Sequence, residues 1–138
     1  MTAEEYRRFG VPYDLEVLAA AEKGWMNTIH AHGTNIMFEL LKDYPVQVFN
    51  WHAWETLPAV DEAHVMTGKC LMGGLNRTDI TQRNRGAIQH QIFECYRMLG
   101  GRNQILTPGC VIRYPLDKDT LTYVKQAKDM VEQRMRKQ

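Results

Sequence analysis

One pattern limits the fold of this chain more than any other: a fourfold alternation. Four times after residue 24, a short apolar segment leads into a small or polar turn and then a helical stretch. The units read "MNTIHAH" then "TNIMFELLKDY"; "VQVFNWH" then "TLPAVDEAHVMTG"; "CLMGGL" then roughly "ITQRNRGAIQHQIFECYRMLGG"; and "NQILTPGCVI" then "LDKDTLTYVKQAKDMVEQRM". Strands that alternate with helices pair in parallel through right-handed crossovers. Their near-continuous apolar character fits a sheet buried on both faces. The reading is α/β, with four parallel strands spread over about residues 25–138.

Local signals place the helices. Ile88, Ile92, Cys95 and Leu99 recur at helical spacing, and Gly100-Gly101 closes that helix. Leu121, Val124, Ala127, Val131 and Met135 form one apolar stripe behind Asp117, an expected N-cap. Thr56 and Pro58 are placed to start the second unit's helix. Ahead of the repeats lies a helical lead-in, about residues 1–24. Thr2 and Glu5 form a capping box there, Pro12 opens a second helix, and Gly24 is expected to end it in a left-handed conformation. The 138 residues make one domain.

The balance of 17 basic and 16 acidic residues gives no reason to expect nucleic acid or an anionic membrane as a partner. The basic end, "RMRKQ", reads as a solvated tail. No apolar run approaches the ~20 residues of a membrane span, and the charged start lacks a signal-peptide apolar region. A cytoplasmic protein is expected. Three cysteines without paired spacing argue against a disulfide framework. The chain holds no serine, so a Ser-His-Asp nucleophile is excluded.

Two fold classes stay open at this point, a doubly wound sheet and a (β/α)₈ barrel. No GxGxxG follows any strand, which weakens dinucleotide binding. Polar and unusual residues gather where strands end: His30, His32, Asn50, His52, Asn76 and Cys110. Either fold binds its ligands at that edge. Side chains at i and i+2 of a strand point the same way, so His30 and His32 face a common point. Cys110, at the end of the last strand, supplies a third donor if the sheet brings these ends together. Three protein ligands with one position open is the arrangement of catalytic zinc. Asn50, His52 and Asn76 are expected to line the substrate cleft. Cys70 and Cys95 read as core thiols, and His64 and His90 as surface or packing residues. Trp51 and Trp54 either line a pocket or cover the end of the sheet.

Four stretches, "EEYRRFGVPY", "IHAHGTNIMFELLKDY", "MGGLNRTD" and "ILTPGCVIRYPLDKDTLTYVKQA", together resemble the C-terminal part of the uroporphyrinogen decarboxylase superfamily, in its order and spacing. The resemblance implies that the chain is the second half of a TIM-type (β/α)₈ barrel. At the site it is closest to the cobamide-dependent methyltransferases. That branch carries His-x-Cys-Gly after one strand and Pro-Gly-Cys after the last, and these bind a zinc that activates a substrate thiol. His30 falls on the family's histidine, His32 on its first cysteine and Cys110 on its second. The resemblance thus implies one zinc per chain, with a corrinoid as substrate or as a cofactor bound to a partner protein. The decarboxylase branch is the alternative, although its last-strand Gly-His-Gly is here Pro-Gly-Cys. A third reading is a non-catalytic subunit for assembly or corrinoid binding. Four units cannot close a barrel, and bare strand edges invite pairing. A homodimer completing the barrel, or a separate N-terminal half, is the expected partner.

Overall fold

The computed structural model describes residues 1–137. Two short helices, α1 (Ala3–Phe9) and α2 (Val11–Ala20), lead in. The repeats follow as β1 (Thr28–Ala31), α3 (Phe38–Leu41), β2 (Val48–Trp51), α4 (Val60–Thr67), β3 (Cys70–Leu75), α5 (Arg77–Thr81), α6 (Arg85–Leu99), β4 (Gln104–Pro108) and α7 (Lys118–Met135). The four strands form one all-parallel sheet in chain order, β1-β2-β3-β4. No reversal interrupts that order, which is consistent with a half barrel.

Several local expectations hold for stated reasons. Thr2 and Glu5 make a reciprocal capping box, with Thr2 N donating to Glu5 at 2.7 Å and Glu5 N to Thr2 at 3.2 Å. The Asp117 carboxylate accepts from Thr120 N at 3.0 Å and caps α7. Gly100 ends α6 at φ 61°, a conformation open to glycine at no steric cost.

Other boundaries move. Helix α2 stops at Ala20, and Gly24 does not take a positive φ. Asn27 explains the early stop: its amide donates to the Ala21 carbonyl at 2.7 Å, satisfying a helix-end acceptor. Helix α3 is one turn long, and it starts only at Phe38 because Met37 sits left-handed at φ 49° immediately before it. Helix α4 starts at Val60, beyond Thr56 and Pro58, where Glu62 accepts from Ala59 N at 2.9 Å. The long helix expected after β3 is two helices. Arg83 turns left-handed at φ 59°, and Asn84 then accepts from Ala87 N to cap α6.

Register sorts the side chains by face. His30, Asn50, Met72 and Ile105 lie level across the four strands, and all are exposed or half-buried. Phe49 and Leu71, one position earlier, are buried under the helices. Phe49, Trp51 and Leu71 pack with Val60, Ala63, Cys95 and Leu99 in one core cluster. Ile88, Ile92, Ala127 and Val131 pack in a second, between α6 and α7. Helices therefore cover one face of the sheet and leave the other more open. That open face ends, at the C-terminal edge of the strands, in the residues of interest.

Candidate metal centre

The four donors come from three strand ends, two of them from β1. His30 lies within β1, paired with Asn50 of β2. His32 lies one residue beyond β1, followed by Gly33 at φ 103°. His52 immediately follows β2. Cys110 comes two residues after β4, on a loop that turns back across the sheet.

The turn depends on Gly109. A Cβ there would stand 2.8 Å from the Trp51 carbonyl oxygen and 2.9 Å from the His52 Cα, inside normal contact distance. Glycine lets the β4 loop rest directly on the end of β2, and this delivers the Cys110 sulfur. The result is a cluster of His30, His32, His52 and Cys110 whose ligand atoms all lie within 4.8 Å of one another. Cys110 Sγ is 3.9 Å from His32 Nδ1. Ring centroids of His32 and His52 are 4.9 Å apart, edge to face, and His30 lies 5.7 and 5.9 Å from them. A tetrahedral ion with nitrogen at about 2.0–2.1 Å and sulfur at about 2.3 Å needs an N···S separation near ~3.6 Å. The Cys110–His32 pair is close to that value, and the widest pairs, up to 4.8 Å, would close around an ion.

The surroundings fix two of the three imidazoles. Asn50 Nδ2 donates to the Met72 carbonyl at 2.7 Å, which orients the amide. Its Oδ1 then faces His30 Nδ1 and accepts a hydrogen bond from it. With the proton on Nδ1, the lone pair of His30 is on Nε2. Likewise His52 Nδ1 lies 3.3 Å from Glu55 Oε2, and Arg77 Nε lies 3.6 Å from the other Glu55 oxygen. A carboxylate behind a histidine is a usual outer support of a metal ligand. His52 itself is only 5% exposed, and its Nε2 is buried without a hydrogen-bond partner. His64 Nδ1 and Thr107 Oγ1 share that condition, but only the His52 atom belongs to a group of donors. Leaving a buried polar atom unpaired costs about 1–3 kcal/mol, and a metal bond relieves it.

The sequence-based candidates divide as follows. His30, His32 and Cys110 come together, joined by His52, which was expected in the substrate cleft. Asn50 touches the site by holding His30. Asn76 lies outside the cluster: its side chain accepts from Thr78 N at 2.7 Å and caps α5. Glu55 escaped the sequence reading, and Gly109 entered it only as the middle residue of Pro-Gly-Cys. The signal for Glu55 was its spacing of three from His52 in "HAWE". Nothing in the sequence announced the close packing at Gly109.

Of the other cysteines, Cys95 is the expected core thiol, whereas Cys70 lies outside the core clusters. Cys95 is fully buried, and burial pushes its pKa up to about 11. Cys70 is half-buried and raised for the same reason. A cavity of about 500 Å³ runs beside the cluster. Consecutive residues from Thr28 to His32 line it, so it follows the open edge of β1 rather than one face. At its far wall Tyr6 and Tyr44 both donate to Asp14 Oδ2, the Tyr44 bond at 2.8 Å.

Among the described residues no helix is long and apolar enough to cross a membrane. No protein-family model matches the chain, and no curated protein matches it.

Proposed function

We propose that this chain is the zinc-bearing second half of a TIM-type barrel of the uroporphyrinogen decarboxylase superfamily, acting in methyl transfer between a corrinoid and a thiol. The observation that carries the reading is the meeting of three imidazoles and one thiol at the C-terminal edge of a parallel sheet. That edge is where such folds place their chemistry. The donor set, with one buried nitrogen left unpaired, suits a borderline-soft divalent ion such as zinc.

His30, His52, Cys110 and His32 would hold the ion. Bound zinc lowers the pKa of a coordinated thiol, so that it serves as a thiolate nucleophile at neutral pH. The chain's own groups do the rest. Asn50 holds the His30 ring in the tautomer that leaves Nε2 free. Glu55, itself beside Arg77, does the same for His52. Gly109 sets the reach of Cys110. The half-open face of the sheet beside the cluster leaves room for a substrate and for the rest of a barrel, supplied by a second copy or by a separate half.

Metal analysis tests the proposal. Protein purified without chelator should carry about one zinc per chain, and Cys110→Ala should lose it. Zinc-free wild-type protein that also fails to take up added zinc would remove the reading.

A further inference from the structure

Four protein donors surround a point where catalysis with a thiol needs one position free. One of the four must therefore yield. The donors differ in how firmly they are held, and we infer that His32 is the exchangeable ligand, displaced from the metal by an incoming thiol. This inference rests on the zinc reading proposed above.

Three observations taken together single out His32: position separates it from His30, access from His52, and support from both. Its position is the first: His30 lies inside β1 and in register with Asn50, whereas His32 lies past the last residue of the strand. Gly33 follows at φ 103°, and the space where its Cβ would lie is open. The second is support. Asn50 backs His30 and Glu55 backs His52, while among the described residues His32 has no hydrogen-bonding neighbour except Cys110 Sγ, at 3.9 Å. Ligands without outer support bind less firmly. The third is access, which separates His32 from His52: His32 and His30 are exposed and His52 is buried. Cys110, the one sulfur donor, stays.

The exchange balances simply. The S–H bond of the thiol breaks and its proton passes to solvent. The sulfur lone pair forms a bond to the metal as the bond to the His32 nitrogen breaks. The donor set changes from three nitrogens and one sulfur to two of each, with no change of oxidation state. A thiol is the ligand class favoured, since a soft sulfur outcompetes an unsupported imidazole at such an ion.

Cobalt(II) loaded onto the full chain, with 2-mercaptoethanol as the probe thiol, reads this directly by X-ray absorption and by the sulfur-to-cobalt charge-transfer band. The wild type should bind cobalt with three nitrogens and one sulfur, and move to two and two when thiol is added. His32→Ala should keep cobalt, with a smaller loss of affinity than His30→Ala, and give the same two-and-two thiol adduct. His30→Ala should lose more than about 100-fold in affinity, in keeping with ligand loss exceeding the 10–100-fold of outer-support loss. A thiol adduct that keeps three nitrogens overturns the inference. So does a His32→Ala protein that loses metal as completely as His30→Ala. If His52→Ala rather than His32→Ala reproduces the wild-type adduct, His52 and not His32 is the ligand that yields, and the inference is overturned. Failure of folded wild-type protein to bind either cobalt or zinc overturns the metal reading beneath it as well.

Discussion

Replacing Gly109 by alanine should weaken the metal site without removing a single ligand. The added Cβ would lie 2.8 Å from the Trp51 carbonyl oxygen, and ordinary contact begins at 3.4 Å, so the loop must retreat by the difference, about 0.6 Å. The obstacles are backbone atoms of the β2 end, which cannot swing aside as a side chain would. Cys110 is the next residue and moves with the loop. Metal–ligand distances tolerate only about ±0.2 Å, so the sulfur is carried well outside bonding range unless the loop strains back. We expect zinc affinity to fall about 10–100-fold, equivalent to about 1.4–2.8 kcal/mol. Overpacking should also cost about 1–3 kcal/mol of fold stability. Competition against a chromophoric chelator measures the first quantity, and thermal unfolding followed by circular dichroism measures the second. A folded Gly109→Ala protein that binds zinc within twofold of wild type would show that Cys110 does not need the close packing of Gly109 on β2.

Asn50→Ala should lower zinc affinity about 10–100-fold, since it frees the His30 ring and strands the Met72 carbonyl; chelator competition on folded protein checks it. Cys95 predicts an alkaline effect. Its pKa rises from 9.0 to about 11 on folding, so the fold favours the neutral thiol. Stability is complete below pH 9 and falls as pH rises to 11, by up to about 3 kcal/mol at about 1.4 kcal/mol per unit. Tyr6 and Tyr44, raised first by burial and then by Asp14, add to the same loss above pH 10. Urea unfolding at pH 8 and 11 should show a smaller drop for Cys95→Ala than for wild type.

The sequence displayed most of the architecture because local chemistry decides it. Thr2 with Glu5 and Asp117 with Thr120 are contacts between residues three apart, and the apolar stripe of α7 follows helical period. The break between α5 and α6 was hidden because "TQRNR" is polar on every side and offers no period to interrupt. The early end of α2 depends on Asn27, six residues beyond the carbonyl it satisfies. At the site, His30 and His32 declared themselves by strand alternation. His52 alternates with Asn50 in the same way, but its company with Cys110 depends on the β4 loop packing against the end of β2 at Gly109, a contact distant in sequence. Asn76 stood at a strand end like the others, but its spacing from Thr78 made it a helix cap.

The Cys110 sulfur meets a histidine 78 residues earlier in the chain. Contacts of such separation form only after the intervening segments are in place, since closing a long loop costs entropy that local structure must first offset. Here all four strands must be in position before the donors converge. Metal uptake should therefore act as a gauge of finished assembly: a chain with every helix formed but β4 out of place would look folded by helical signal and yet carry no ion.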